Sequence, residues 1–493
     1  MTQTVIPGEP AHFTPARTGL SDSGVRPGLR GAAARVLLAN WTGASTVPSR
    51  TLYPHQWSWD SAFIAIGLRH LSALRAQREL ETLCEAQWAD GRIPHIVYNP
   101  AVPADAYFPG PGFWRSRKAG ARAGAPTGID TSGIVQPPVH ALAAWLVHQS
   151  DPEHSAQRGF LARMYPRLVA WHGYLADRRD VAGQGLASVV HPWESGMDNS
   201  PCWDGPLARV EPAPAGSFRR VDLTQGGGDL ADRPTDEDYG RYVRLATHYR
   251  DHEYDDADMP ALFAVEDPAF NALFAVSEHA LAAIAQALGR SPVPHLARAR
   301  ALTEALVDRL WQPAAGMFLG RDVVADALVE ERTVAGLVPL LVPDLPTDVV
   351  DALLATVRGR HFSLGDQTTL VPSYDLLGAA YDGSRYWRGP AWFNINWMLE
   401  RGLRQYGAQG SADALAAAML TASAASGFAE YVDARTGAAH GSAGFSWTAA
   451  VTLDVLARPG VPAVTAAGRR TRTSRTPAST HVPDTARGPE TAC

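Results

Sequence analysis

One pattern governs this chain: apolar residues spaced three and four apart recur along it, with little strand alternation set against them. Leu273, Val276, Ala280, Ile284 and Leu288 share one face and precede Gly289, a residue suited to the left-handed position that closes a helix. The same periodicity appears near 30–40, 59–70, 74–89, 134–148, 160–177, 296–311, 330–341, 348–357, 391–405, 412–425 and 445–456. With 273–288, that makes about a dozen helices. A dozen helices joined alternately by short and long loops is what a closed ring of helical hairpins requires, each hairpin burying its inner helix against its neighbours. The expected fold class is all-α, an (α/α)6 barrel. An open solenoid would carry a fixed sequence period, and none is visible.

At 493 residues and 46% hydrophobic, the chain can bury one large core. Residues 29–457 are expected to form one helical domain, with 1–28 and 458–493 as disordered tails rich in Pro, Gly, Ser and Thr. The arginines of 469–475 read as a solvated charge run in the second tail. Two stretches without helical period, near 91–130 and 201–265, exceed ordinary connection length and read as lids or walls of a site.

A net charge of −6 gives no footprint for nucleic acid or an anionic membrane. Cys84, Cys202 and Cys493 lie far apart, without metal or disulfide spacing, so a reducing, cytoplasmic setting is expected. The N-terminus has no basic head followed by an apolar run. No His or Cys pair has ligand spacing, and 251–258 lacks the glycine of a calcium loop, so neither metal nor cofactor is expected. Homo-oligomerisation is compatible with this size but is not written in the sequence.

Five stretches bring together the polar, acidic and aromatic side chains that a sugar site uses. A flat indole covers the apolar face of a sugar ring, while acidic oxygens accept from its hydroxyls. The first is Tyr53-Pro-His-Gln-Trp-Ser-Trp-Asp60, with Tyr53, Trp57, Trp59 and Asp60, just before an apolar helix. The second, Thr131 to His140, places Gln136 at the mouth of another helix. The third, His191 to Asp204, holds Trp193, Glu194, Asp198 and Asp204 in a segment that Gly and Pro keep from being helix or strand. The fourth, Tyr386-Trp-Arg-Gly-Pro-Ala-Trp392, supplies Tyr386, Trp387 and Arg388, the last either a fixed cation beside carboxylates or a structural fork. The fifth, Gly427 to Gly437, carries Glu430 between two helices and leads to Gly444-Phe-Ser-Trp-Thr448.

Together these stretches resemble family 63 of the glycoside hydrolases, and most closely its bacterial mannosylglycerate and glucosylglycerate hydrolases. The resemblance rests on Tyr53–Asp60, Glu-Ser-Gly-Met-Asp-Asn-Ser-Pro at 194–201, Tyr-Trp-Arg-Gly-Pro-Ala-Trp at 386–392 and Phe-Ala-Glu-Tyr at 428–431, and it spans about 30 to 457. It implies an (α/α)6 barrel that hydrolyses a small α-glycoside with inversion, Asp198 acting as general acid and Glu430 as general base. Inversion needs a protonated carboxyl on the leaving oxygen and a carboxylate holding water on the opposite face. Glu194 is the rival for the acid role. The sugar would rest on Trp59 and Trp193, with Asp60 accepting from its hydroxyls and Tyr386 and Trp387 closing the pocket. Arg233 and Tyr239, in the segment 233–242, resemble the part of these hydrolases near the glycerate, and with Tyr107 and Gln136 they would read a carboxylate in the leaving group. The plain alternative pairs Arg233 with Asp236 or Asp238. Three other functions stay open: an α-glucosidase or trehalase-like enzyme on a neutral disaccharide, a polysaccharide lyase using histidine and tyrosine, and a sugar binder without activity.

Overall fold

The computed structural model describes residues 26–458 apart from 215, 222, 224–231 and 258, so nearly all of both expected tails lies outside the described residues. Helix α1 (Arg26–Ala39) begins inside the segment assigned to the first tail. The long helices that follow are α2 (Ser58–Leu68), α3 (Ala73–Glu85), α4 (His140–Ser150), α5 (Phe160–Arg178) and α6 (Asp236–Asp251). Then come α7 (Pro268–Ala287), α8 (Val293–Leu310), α9 (Thr347–Arg358), α10 (Phe393–Gln405), α11 (Gln409–Ala425) and α12 (Ser446–Leu456).

Their packing closes a ring. α2 meets α4, α4 meets α7, α7 meets the 3-10 turn Val338–Leu341, that turn meets α10, α10 meets α12, and α12 returns to α2. Outside it, α3 packs on α2 and α4, α5 on α4 and α7, α8 on α7, α11 on α10 and α12, and α1 on α12. This is an (α/α)6 barrel. The sequence sorts the two layers by composition: every residue of α2 is buried, whereas α9 buries Val349, Val350, Leu353 and Val357, a single stripe. The ring shuts at a backbone contact. A Cβ on Gly67 of α2 would lie 2.3 Å from the Ala450 backbone of α12, which only glycine avoids.

Connections from inner to outer helices are short, at 69–72, 151–159, 288–292, 342–346 and 406–408. Those from outer to inner are long, at 40–57, 86–139, 179–267, 311–337, 359–392 and 426–445, and all open at one mouth. Two-residue strands stitch this mouth. Gln56–Trp57 pairs with Ile96–Val97, and Tyr431–Val432 pairs with both Ala391–Trp392 and Ala439–His440, all antiparallel. Three of these strands run directly into, or sit just before, the inner helices α2, α10 and α12.

The structure corrects three expectations. Residues 330–341 form two 3-10 turns, Val334–Gly336 and Val338–Leu341, because Pro339 has no N–H with which to continue an α-helix. Pro137 and Pro138 delay α4 to His140. The stretch read as non-periodic at 201–265 contains α6, capped by Thr235 through its side chain to the Asp238 N–H, with Tyr239, Tyr242, Val243, Ala246 and Tyr249 on its buried face. By length and composition alone Pro268–Ala287 could cross a bilayer, but it is the inner helix α7, with 89% of its most apolar eighteen residues buried in the barrel.

Candidate active site

The long connections enclose one aromatic cavity at the mouth. Its lining includes Tyr53, Trp57, Trp59, Asp60, Tyr107, Gln136, Trp193, Asp198, Arg233, Tyr239, Tyr386 and Glu430, all anticipated from sequence. Its volume is about 100 Å³.

Glu430 stands at the start of strand Tyr431–Val432 and is 1% exposed. Its Oε1 accepts from the Tyr53 hydroxyl at 3.2 Å and the Tyr386 hydroxyl at 3.5 Å, and its Oε2 accepts from the Ser442 N–H at 3.0 Å. Arg233 completes the arrangement: its Nη1 donates to the Tyr53 oxygen at 3.3 Å, and its guanidinium lies 4.8 Å from the centre of the Tyr386 ring. Burial raises the Glu430 carboxyl above its ordinary range, and Arg233, Ser442, Tyr53 and Tyr386 pull it back. Asp60, in the first turn of α2, is raised well above its usual value by burial and then by Glu430, against its own helix N–H. Glu430 thus adds to the effect of burial on Asp60, whereas the cation and the phenols act on Glu430.

Asp198 follows Gly196, whose φ of +71° turns the backbone against Trp59; a Cβ there would meet that indole at 2.5 Å. The Tyr242 hydroxyl donates to the Asp198 carbonyl at 2.6 Å and anchors the turn. The charge of Asp198 is felt by the phenols of Tyr242 and Tyr386, and Tyr386 also feels Glu430, so that ring links the two carboxylates. Asp198 is half-buried, in contrast with the enclosed Glu430.

The rival acid, Glu194, lies outside this cavity. Arg179 grips it at 2.7 and 2.8 Å, and the N–H groups of Val190 and Val135 donate to it at 2.8 and 3.2 Å, leaving it a structural anchor for the loop. Trp193 lies against His191 with centroids 4.4 Å apart and the rings tilted by 34°, and Trp57 meets Tyr107 edge to face at 5.2 Å. The Gln136 Oε1 accepts from the Trp59 N–H at 3.1 Å, fixing the entry to α2. The Tyr239 hydroxyl donates to the Phe108 carbonyl at 3.1 Å, joining the two lid segments.

Two anticipated residues fall elsewhere. Trp387 adopts φ +59°, which turns its ring away from the cavity and onto Trp392, stacked at 3.7 Å and 2°. Arg388 forks Asp204 at 2.5 and 2.8 Å and is not part of the lining. The cation that acts on Glu430 is Arg233. The alternative pairing of Arg233 is not seen either: Asp236 is held by Arg220 at 2.7 Å and Asp238 by Arg241 at 3.0 Å. Residues that sequence reasoning did not single out also line the cavity, among them His95, Phe108, Tyr242, Phe445 and Trp447. Tyr242, Phe445 and Trp447 lay within stretches already marked as aromatic and polar, whereas His95 gave no local signal. Burial holds His95 and His191 down to about 3 and His55 and His140 down to about 4, too low for the bases a lyase would need. Among the described residues no three His, Cys, Asp or Glu side chains converge as metal ligands.

This geometry agrees with the comparisons to known proteins. Residues 53–448 match the family model described as a mannosylglycerate hydrolase MGH1-like glycoside hydrolase domain. The chain is 43% identical over 430 residues to the mannosylglycerate hydrolase of Rubrobacter radiotolerans, covering 85% of this chain and 95% of that one. It is 38% identical over 446 residues to the glucosylglycerate hydrolase of Mycolicibacterium hassiacum, covering 87% and 97%. Among solved structures, the family 63 mannosylglycerate hydrolase of Thermus thermophilus, in complex with Tris and D-glycerate, superposes with a TM-score of 0.79 at 38% identity over 86% of this chain and 99% of that one. A neutral trehalase from Saccharomyces cerevisiae shares the fold alone, at 14% identity and a TM-score of 0.54 over 84% of this chain and 73% of that one. An (α/α)6 barrel, an aromatic cavity holding Asp198 and Glu430, and a family match over most of the chain lead to one conclusion: this protein is a glycoside hydrolase and belongs to the MGH1-like glycoside hydrolases of family 63.

Proposed function

We propose that the chain hydrolyses an α-hexosyl-D-glycerate, glucosyl or mannosyl, with inversion at the anomeric carbon. Asp198 gives its proton to the glycosidic oxygen as the bond from that oxygen to the anomeric carbon breaks. Glu430 takes a proton from the water that attacks this carbon on the other face, so a β-hexose and glycerate leave. The proton on Glu430 then passes through solvent and Asp198 regains one, which restores the starting state. Tyr53 and Tyr386 hold Glu430 in place, and Arg233 keeps it available as a base by favouring its ionised form.

The observation that carries the glycerate reading is Arg233. It is 9% exposed, it lines the same cavity as the two carboxylates, and Asp236 and Asp238 are committed to other arginines. A planar guanidinium there suits a carboxylate on the leaving group, which a neutral disaccharide lacks. Relatives named for mannosylglycerate and glucosylglycerate support the same substrate class. The test is a panel of α-glucosyl and α-mannosyl glycerates beside the corresponding glycosylglycerols, with product anomers followed by NMR. Equal rates on glycerates and glycerols would remove the carboxylate from the reading. An α-hexose as first product would remove inversion.

A further inference from the structure

The barrel has a second opening, at the end where the inner helices finish. There a cavity of about 740 Å³ is lined by Arg69, Arg401, Arg404 and Arg458, with His70 and His279 beside them. Its other wall is apolar, built from Leu142, Trp145, Val276 and Leu341. None of these residues belongs to the catalytic mouth.

Three of the arginines have evident structural work. Arg69 donates to Asp454 at 2.6 Å and to the Leu146 carbonyl at 2.8 Å. Arg404 reaches Glu400 and Asp413, each at 2.8 Å, and Arg458 reaches Asp454 at 2.9 Å and also contacts Glu400. Cations at these positions also oppose the negative ends of α2, α10 and α12. Arg401 differs. Its guanidinium lies 4.9 Å from the centre of the Trp397 ring, and among the described residues it has neither a hydrogen bond nor an ion pair. Burial lowers its pKa, Asp454 raises it and Arg69 lowers it further, so this cation sits where it is under-compensated.

Arg69, Arg404 and Arg458 share the carboxylates of Asp454, Glu400 and Asp413, which leaves Arg401, among the described residues, without an ion-pair partner beside this half-enclosed space. We propose that this cavity is an anion site, in which Arg401 binds the phosphoryl group of a small phosphate ester while the apolar wall around Trp145 receives its organic body. The planar donor fork suits phosphate oxygens, and the volume exceeds what a bare phosphate fills.

Titration calorimetry on the full chain tests this, with inorganic phosphate and phenyl phosphate as probes at matched chloride ionic strength. Both should bind saturably to the wild type, and phenyl phosphate more tightly. Loss of the guanidinium in Arg401→Gln should weaken both by about tenfold or more, as expected for charge-assisted hydrogen bonds. Arg401→Lys, which keeps the charge, should retain part of the affinity, and hydrolytic activity shows that each variant is folded. Arg233→Gln, at the other mouth, should leave phosphate binding intact. Equal affinity for the two probes would assign the site to free phosphate. Absence of binding, binding unchanged in Arg401→Gln, or binding lost in Arg233→Gln would overturn the proposal.

Discussion

Arg233→Gln separates reading of the leaving group from support of the base. The guanidinium is nearly enclosed, its Nη1 is 3.3 Å from the Tyr53 hydroxyl, and its face covers Tyr386, so its position is fixed before substrate arrives. A charge-assisted hydrogen bond to a substrate carboxylate contributes about 1.5–3 kcal/mol, which corresponds to roughly a 10- to 150-fold loss in kcat/KM when it is removed. That loss should fall on the hexosylglycerate. The same variant also withdraws the cation that favours ionised Glu430, and this second effect strikes every substrate alike. The decisive quantity is therefore a ratio: kcat/KM for hexosylglycerate over that for hexosylglycerol, in wild type and variant, at a pH above the acid limb of both. The ratio should fall by about tenfold or more. If both substrates lose activity equally, Arg233 serves only Glu430 and the carboxylate-reading argument is refuted.

Other variants probe the remaining roles. Asp198→Asn and Glu430→Gln should each lower kcat on hexosylglycerate by about a hundred- to ten-thousand-fold, and only the former should recover with a glycosyl fluoride, whose leaving group needs little protonation; recovery in both, or in neither, would reassign the acid. In Tyr53→Phe, Glu430 loses a donor that lowers its pKa. Its folded-state pKa then rises, and since the base works only when ionised, activity that is present above that pKa is lost at a higher pH on acidification. An acid limb that stays put or moves to lower pH would contradict this. Arg179→Met leaves the buried Glu194 carboxylate without its ion pair, and urea unfolding should register a loss of about 3–5 kcal/mol; a loss under about 1 kcal/mol would show that Val190 and Val135 suffice.

Much of the barrel was legible because inner and outer helices obey simple rules of apolar spacing. What escaped depended on contacts made far away in sequence. The fourth inner segment has helical periodicity, yet Pro339 reduces it to 3-10 turns. Helix α6 was masked by its acidic first turn, Asp236-Glu237-Asp238, which resembles a loop until the tyrosines at 239, 242 and 249 are placed on one face. At the site, residues of the aromatic and acidic clusters line one cavity. They could not reveal which way a side chain points, and Trp387 shows why: one left-handed residue directs an indole into Trp392 instead of the pocket. Nor could sequence divide the arginines, since only coordinates show Arg388 forking Asp204 while Arg233 faces Tyr386.

The seam between Gly67 and Ala450 bears on how the molecule assembles. Because the first inner helix of the ring is sealed by the sixth, a nascent chain remains an unroofed trough, its apolar flank bare, until Ser446–Leu456 has been made. Closure is then a late, long-range event, and premature termination anywhere ahead of residue 446 yields a greasy gutter fit for chaperones rather than a smaller enzyme.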